Sequence, residues 1–558
     1  MKTEGKINIT TDIKTFKDLF LYFIKNIYNT KNTELYNQVS LDSFAAVSFD
    51  SFLESSSGYI KLFTSLNLQK SDRVCIISNT STSWLALDFA IMSCGLISVP
   101  FFVNASDTNF KYQIENSDCK IFFVQNYTSK ERLTKLNIKE SSIFYFNDVK
   151  STSPLNIENH LEKTEINYND IATIVYTSGT MGTPNGVTIS HFNLISQVLN
   201  ADKCFPLTSK DIAISFLPTA HIFQRMICYL YLYKQVRVYF ISDYNTLIDN
   251  FKNIKPTLLT TVPRVLEKAY TKINISLENK TGFSKKIAHF AKLYAMNQDH
   301  KNKSILNKIK YYIFKKLVFS KILALFGGNI RMIISGGAKL NNEVYKFFLN
   351  IGLPLYQGYG MTEMSPVISS NNPSENKVFT VGKFFDNITY KILNDGELCV
   401  KGNNLMLGYY KNTDETVKHI DSDGFFHTGD IVEIDSDGFL TVKSRKKELF
   451  KTSNGKYIDP NKIEFLFSKF LQIEYSCVIA DDKNFVSIII FTKVQDRCII
   501  ENIINDVNKS LEHHEKIMKF HISNDIISPE TGEITPSLKL RRFIIYDKYK
   551  KVIESFYN

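Results

Sequence analysis

The chain has 558 residues, more than one hydrophobic core ordinarily supports, and 44% of them are apolar, so at least two domains with a large interior are expected. Lys and Arg exceed Asp and Glu by 67 − 56 = 11, a moderate basic excess compatible with anionic ligands or a membrane surface, and nothing in it calls for nucleic acid. Eight cysteines lie without CxxC or metal-ligand spacing, which argues against a disulfide framework or a zinc site and for reduced thiols in the cytoplasm.

The polar start, MKTEGKINITTDIK, is not a secretory h-region, so export is not expected. Phe16, Leu19, Phe20, Phe23 and Ile27 have helical spacing and read as a packed helix. The run Trp84 to Val103 is long enough to suggest a membrane span, but it contains Asp88 and is broken by Gly95 and Pro100, so helix, turn and buried strand are expected. From about Asp72 onward, short apolar runs such as RVCIIS, KIFFVQ, ATIVYT and RMIISGG alternate with helical patterns, the rhythm of parallel sheets wrapped by helices. Between 271 and 330 twelve lysines face only Glu278 and Asp299 and interleave with apolar residues at helical spacing. That region reads as a solvated basic face or as a peripheral attachment to anionic lipid on the inner face of a membrane. Near Val381 the pattern becomes turn-rich, with DG pairs at 395, 423 and 437 that predict hairpins and a small antiparallel barrel.

The stretch YTSGTMGTPNGV (Tyr176 to Val187) follows the apolar strand IATIVY. Gly179, Gly182 and Gly186 let backbone N–H groups approach an anion, and Thr177, Ser178, Thr180 and Thr183 add hydroxyl donors. The GK[ST] ending of a Walker loop is absent. Downstream, SGGAKL (Ser335 to Leu340) offers small residues Gly336, Gly337 and Ala338 against which a flat base can slide, and YQGYGMTEMSP offers the Tyr359 ring to stack on it. Thr362 can donate to an α-phosphate or carboxylate oxygen, and Glu363 can supply a hard oxygen ligand to Mg²⁺. In HTGD, Asp430 suits the two hydroxyls of a ribose.

Together these strings resemble the adenylate-forming superfamily of acyl-CoA synthetases, luciferases and peptide-synthetase adenylation domains, over roughly residues 70 to 545. SFLPTAHIFQR, TVPRVLEK, the segment Leu317 to Leu340 and ITPSLKLRR are similar to the long-chain fatty acyl-CoA synthetase branch. The resemblance implies an α/β fold: a large N-terminal domain of helix-wrapped β-sheets plus the small β-barrel (1–443), a hinge (444–451) and a small mobile α+β C-terminal domain (452–558). It also implies ATP and coenzyme A as co-substrates, Mg²⁺, and a fatty acid activated first to an acyl-adenylate and then to a thioester. Lys539 falls at the catalytic lysine, Arg445 on the ribose-phosphate side, Lys447 at the hinge position and His221 at an acyl or phosphate contact.

Four positions depart from the pattern: Met181 stands where the family usually carries Thr, Asn185 where it carries Lys, Gln224 where it carries Glu, and Ser444 where it carries Asp. Two alternatives stay open. One is an acyl-AMP ligase that hands its adenylate to an acyl carrier protein; the other is a catalytically weakened acyl- or nucleotide-binding relative.

Overall fold

The computed structural model describes residues 13–28, 34–40, 43–177, 183–243, 246–297, 304–446, 449–535 and 539–557. The helix Phe16–Asn26 is started by a capping box, in which Thr15 and Asp18 each satisfy the other's backbone N–H, and it buries Phe16, Leu19, Phe20, Phe23 and Ile24. The Trp84 region is the expected helix, turn and strand. Helix Thr82–Ser93 is followed by Gly95 at φ +72° and by the fully buried strand Ile97–Phe101.

Two sheets organise the larger part of the chain. The nine-stranded sheet runs Lys383–Phe384, Val367–Ser370, Leu355–Gly360, Met332–Ser335, Leu258–Thr261, Ile212–Ser215, Arg237–Phe240, Glu34–Ser40 and Ser43–Ser48. From Leu355–Gly360 to Glu34–Ser40 its pairings are parallel, and antiparallel strands close both edges. The seven-stranded sheet runs Gly408–Tyr409, Gly186–Ser190, Ile171–Tyr176, Ile97–Phe101, Arg73–Ile77, Ile121–Val124 and Ile143–Tyr145. Its interior is parallel, which requires crossover helices and explains why these strands read as continuous apolar runs.

Helix Ile222–Tyr233 is buried along nearly its whole length. At its centre Arg225, fully buried, bonds Asp88 of helix Thr82–Ser93 through Nε at 2.9 Å and Nη2 at 2.5 Å, and Thr173 Oγ1 through Nη1 at 2.7 Å. Tyr229 Oη and Ser98 Oγ also donate to the Asp88 carboxylate. The acid that spoiled the membrane-span reading is therefore one half of a buried ion pair joining two helices to two strands.

The turn-rich stretch forms a four-stranded antiparallel sheet, Ile388–Ile392, Glu397–Gly402, Phe426–Ile434 and Leu440–Arg445. Gly396, Gly424 and Gly438, all at positive φ, make its turns, as the DG pairs predicted. The barrel expected there is an open sheet in the described residues, because Ile388–Ile392 and Leu440–Arg445 lie at opposite edges. Beyond it a three-stranded sheet, Tyr475–Ile479, Val486–Phe491 and Ile517–Ser523, is packed by helices Pro460–Ser468, Arg497–Asn508 and Arg542–Lys548 around separate apolar clusters. It meets the larger part through Arg264, which donates to the Glu474 carbonyl at 2.9 Å and lies over the Tyr475 ring, and through a Lys469–Glu343 ion pair at 2.7 Å.

Candidate functional site

The site is built where the carboxyl ends of both large sheets converge, the usual place for ligands of open α/β sheets. Strand Ile171–Tyr176 pairs antiparallel with Gly186–Ser190, so the glycine-rich segment is the loop of a hairpin. Thr177 N and Oγ1 both donate to the Asn185 carbonyl, at 2.9 and 3.3 Å, which fastens the base of the loop. Thr183 is exposed, whereas Ser178, Gly179, Thr180, Met181 and Gly182 lie outside the described residues. Gly186 has a packing reason to be glycine: a Cβ there would lie 2.9 Å from Ile174 Cγ2 and 3.2 Å from the Tyr176 ring. The Asn185 side chain accepts through Oδ1 from Asn412 Nδ2 at 3.3 Å.

On the nine-stranded sheet, Gly336 follows strand Met332–Ser335, and its Cβ position would sit 2.9 Å from the Phe223 ring. Its side-chain space is therefore taken by an aromatic ring of the chain itself, while Gly337, at φ +83°, and Ala338 face solvent. Gly360 is required by a hairpin crossing, since a Cβ there would meet the Pro366 carbonyl at 1.9 Å. The crossing and a cis Ser365–Pro366 bond close a single 3-10 turn, Thr362–Met364, which presents Thr362 and Glu363. Asn404, fully buried, holds that turn by donating to the carbonyls of Met364 and Val367 at 2.7 and 2.9 Å. Glu363 Oε1 accepts from Tyr409 Oη at 3.0 Å, and Tyr409 lies on the strand that extends the hairpin carrying the glycine-rich segment. Burial and this carboxylate hold the Tyr409 phenol protonated, with its pKa far above the usual range. One hydrogen bond thus ties the two sheets together at the site.

Asp430, 4% exposed, accepts from Tyr359 Oη at 2.5 Å and from Arg445 Nε at 3.1 Å. Arg445 is its cross-strand partner. With Ser444 unable to pair, Arg445 pairs with Asp430 instead. The two contacts use both carboxylate oxygens, each of which can accept more than one hydrogen bond. Tyr359 Oη is fixed by the same bond, and burial together with Asp430 raises its pKa.

His221 caps helix Ile222–Tyr233, its Nδ1 accepting from Phe223 N at 3.3 Å. Burial and the neighbouring Lys539 cation push its pKa down to about 4, so the imidazole is neutral near pH 7. Lys539 therefore stands close enough to His221 for its charge to be felt, on a turn in which Thr535 N donates to the Lys539 carbonyl and Lys539 N to Thr535 Oγ1. Gln224, where Glu was expected, is buried and donates to Ser215 Oγ at 2.9 Å, a position in which a carboxylate would be charged and short of donors. Lys447 lies outside the described residues. Along helix Ile222–Tyr233 and strand Met332–Ser335, a small apolar cavity is lined by residues including Ile227, Leu230, Tyr231, Met332 and Ile334.

The structure thus puts Thr362 and Glu363 on one 3-10 turn directly after the strand that carries Tyr359, joins Tyr359 and Arg445 to Asp430 on neighbouring strands, and leaves Lys539 near enough to His221 for its charge to be felt. Sequence reasoning missed Tyr409 and Asn404, for which no local signal exists. It also missed the Asp88–Arg225 pair, although one acid and one base in two apolar helices was a signal.

Among the described residues no three His, Cys, Asp or Glu side chains are grouped to hold a metal. A single carboxylate such as Glu363 fits Mg²⁺, which is commonly held by one or two carboxylates, substrate phosphates and water.

The AMP-binding enzyme family matches residues 27–410, and the AMP-binding enzyme C-terminal domain matches residues 448–558. Long-chain-fatty-acid–CoA ligase FadD15 of Mycobacterium bovis is 30% identical over 539 residues, covering 88% of this chain and 89% of its own length. Long chain acyl-CoA synthetase 3 of Arabidopsis thaliana is 28% identical and covers 88% and 84%. Among solved structures, the adenylation domain of a carboxylate reductase from Mycobacterium chelonae aligns with TM-score 0.77 at 18% identity, over 97% of this chain and 91% of that one. ATP-bound MatB from Rhodopseudomonas palustris aligns with TM-score 0.70 at 19% identity, over 96% and 99%, and like the first it speaks for the fold alone. A match spanning more than half of the chain, reinforced by a relative similar along nearly its full length, places this protein in the AMP-binding enzyme family.

Proposed function

We propose that this chain activates a long-chain fatty acid with ATP, forming an acyl-adenylate and pyrophosphate, and then transfers the acyl group to coenzyme A with release of AMP. The observation that supports this reading is that Lys539 lies near enough to buried His221 for its charge to depress the imidazole pKa, in a chain whose Glu363 and Asp430 are each held by a tyrosine hydroxyl.

In the first step a carboxylate oxygen attacks the α-phosphorus and the bond to pyrophosphate breaks. Both reactants are anions, so a cation placed between them lowers the barrier more than any covalent assistance would. Lys539 supplies it, since His221 is neutral: with its Nδ1 accepting from Phe223 N, its Nε2 can donate a hydrogen bond but brings no charge. Thr362 donates to the acyl carboxylate or α-phosphate, and the hydroxyls of Thr177 and Thr183 hold the departing phosphates. Asp430 receives the ribose hydroxyls and Tyr359 flanks the base. Mg²⁺, held by Glu363 and substrate phosphates, would neutralise the charge that develops on pyrophosphate. In the second step the thiol attacks the acyl carbonyl and AMP leaves with the bonding electrons. Rotation about a hinge at 444–451, with Lys447 at its centre, separates an N-terminal unit (1–443) from a C-terminal one (452–558) and withdraws Lys539 to admit the thiol.

Pyrophosphate exchange into ATP that depends on palmitate or oleate tests the first step, and loss of exchange at every chain length would favour a silent relative. Labelled fatty acid offered with coenzyme A or with acyl carrier protein tests the second.

Peripheral membrane attachment is a further part of this proposal, favoured by one observation. Helix Ile305–Phe314 buries none of its residues, and Ile305, Leu306 and Tyr312 are each at least 69% exposed among lysines 308, 310, 315 and 316. Outward apolar side chains flanked by lysines suit an anionic bilayer better than water. No described helix is long and apolar enough to cross a membrane. Flotation with phosphatidylserine vesicles should be lost when those four lysines become Glu, and binding indifferent to that change would remove the idea.

A further inference from the structure

A small cavity lies between helix Asp107–Ser117 and the segment that follows Pro529. Ser106, Asn109 and Gln113 line one wall, Thr535 and Arg541 the other, and Tyr176 and Pro184, at the feet of the glycine-rich loop, also border it. Arg541 is only 5% exposed, and its Nε has no hydrogen-bond partner. Its Nη1 reaches the Gly532 carbonyl at 3.4 Å and its guanidinium lies 5.0 Å from the Phe543 ring centre. Burial depresses its pKa with no carboxylate opposing the shift. A buried cation without a counter-ion is costly, and guanidinium matches the oxyanions of phosphate with a fork of N–H donors.

The facing wall has the same preference. Ser106 caps helix Asp107–Ser117 without a side-chain bond to it, so the first-turn N–H groups and the positive helix end lack a capping oxygen. Asp107, the acid of that turn, is held by Arg132 at 3.0 Å. Gln113 is 5% exposed with an unpartnered Oε1, and turning its amide presents N–H donors instead.

We infer that this cavity binds a phosphate-class oxyanion, bridged between Arg541 of the C-terminal sheet unit and the first turn of helix Asp107–Ser117. The occupant is pyrophosphate leaving the adjoining loop or free inorganic phosphate. The site does not depend on the acyl-CoA reading, because its test needs neither fatty acid nor coenzyme A.

Inorganic phosphate and pyrophosphate are titrated calorimetrically into the full chain and into Arg541→Gln, Arg541→Lys, Ser106→Asp and Thr183→Ala. Arg541→Gln and Ser106→Asp should each weaken binding at least tenfold, with Arg541→Lys recovering part of it. Ser106→Asp keeps a good helix cap, so its loss of affinity is not a loss of fold. If pyrophosphate alone binds and Thr183→Ala weakens it too, the leaving group spans loop and arginine; if phosphate binds regardless of Thr183, free phosphate is the occupant. Absence of binding to the unmodified chain, or affinities within twofold in both Arg541→Gln and Ser106→Asp, overturns the site.

Discussion

Replacing Arg225 by Met should unfold the larger part of this protein at much lower denaturant, because it strands the Asp88 carboxylate in the core. Both side chains are fully buried, and Arg225 supplies three of the hydrogen bonds that join helix Ile222–Tyr233 to helix Thr82–Ser93 and to the strand leading into the phosphate loop. Removing one partner of such a pair costs about 3–5 kcal/mol. Tyr229 and Ser98 still donate to Asp88, which puts the expectation at the lower end. With a urea dependence of about 3 kcal/mol per molar, the midpoint should fall by roughly 1 M. The chain has one tryptophan, Trp84, whose buried ring lies 5.5 Å from the Arg225 guanidinium, so its fluorescence follows this region without interference from the C-terminal unit. The double variant Arg225→Met, Asp88→Leu removes both charges and should regain most of the loss. A midpoint shift below about 0.3 M, or a double variant no better than the single one, would refute the reasoning.

Stability should also fall in mild acid. His191 is fully buried, and desolvation pushes its pKa down to about 4 against the ordinary 6.5. The unfolded chain takes up a proton below pH 6.5 that the folded chain refuses until about pH 4, so stability is complete above 6.5 and drains away across that window, by about 3 kcal/mol. Thermal midpoints of the unmodified chain and His191→Gln between pH 7 and 4.5 should diverge in slope, and parallel curves would count against it. Lys539→Ala should slow acyl-adenylate formation at least 100-fold while leaving thioester formation from added acyl-adenylate largely intact, the cation being needed only where two anions meet. Equal losses in both half-reactions would place Lys539 elsewhere in the mechanism. Asn185→Lys should lower the KM for ATP, at the loss of the 3.3 Å bond to Asn412, and an unchanged KM would show that this position does not contact phosphate.

Much of the fold was legible because its signals are local. Apolar runs marked the parallel strands, DG pairs marked the turns at Gly396, Gly424 and Gly438, and Gly95 marked the turn between helix and strand in the apolar stretch, whereas Pro100, expected as a second break, lies inside strand Ile97–Phe101. What stayed hidden depends on contacts between distant segments. Tyr409 meets Glu363 across 46 residues, Asn404 reaches Met364 across 40, and Arg225 finds Asp88 across 137. Nothing in the immediate neighbourhood of those residues announces a partner.

The glycines show the same division in miniature. Sequence alone established that this chain carries a hydroxyl-rich glycine loop after a buried strand, a threonine–glutamate turn and a terminal lysine, since each is a short string with its own chemistry. It could not tell which glycine serves a ligand and which serves packing. Gly186 and Gly336 proved to be spaces filled by Tyr176 and Phe223, and Gly360 a hairpin crossing, because only the folded chain brings those atoms within a Cβ radius. The same holds for charge. Eleven excess positive charges say little until burial singles out Arg225, answered by Asp88, from Arg541, whose pKa is lowered by burial with no carboxylate of the described residues opposing the shift. Desolvation is a property of the tertiary structure, and it decides which cation is structural and which awaits an anion.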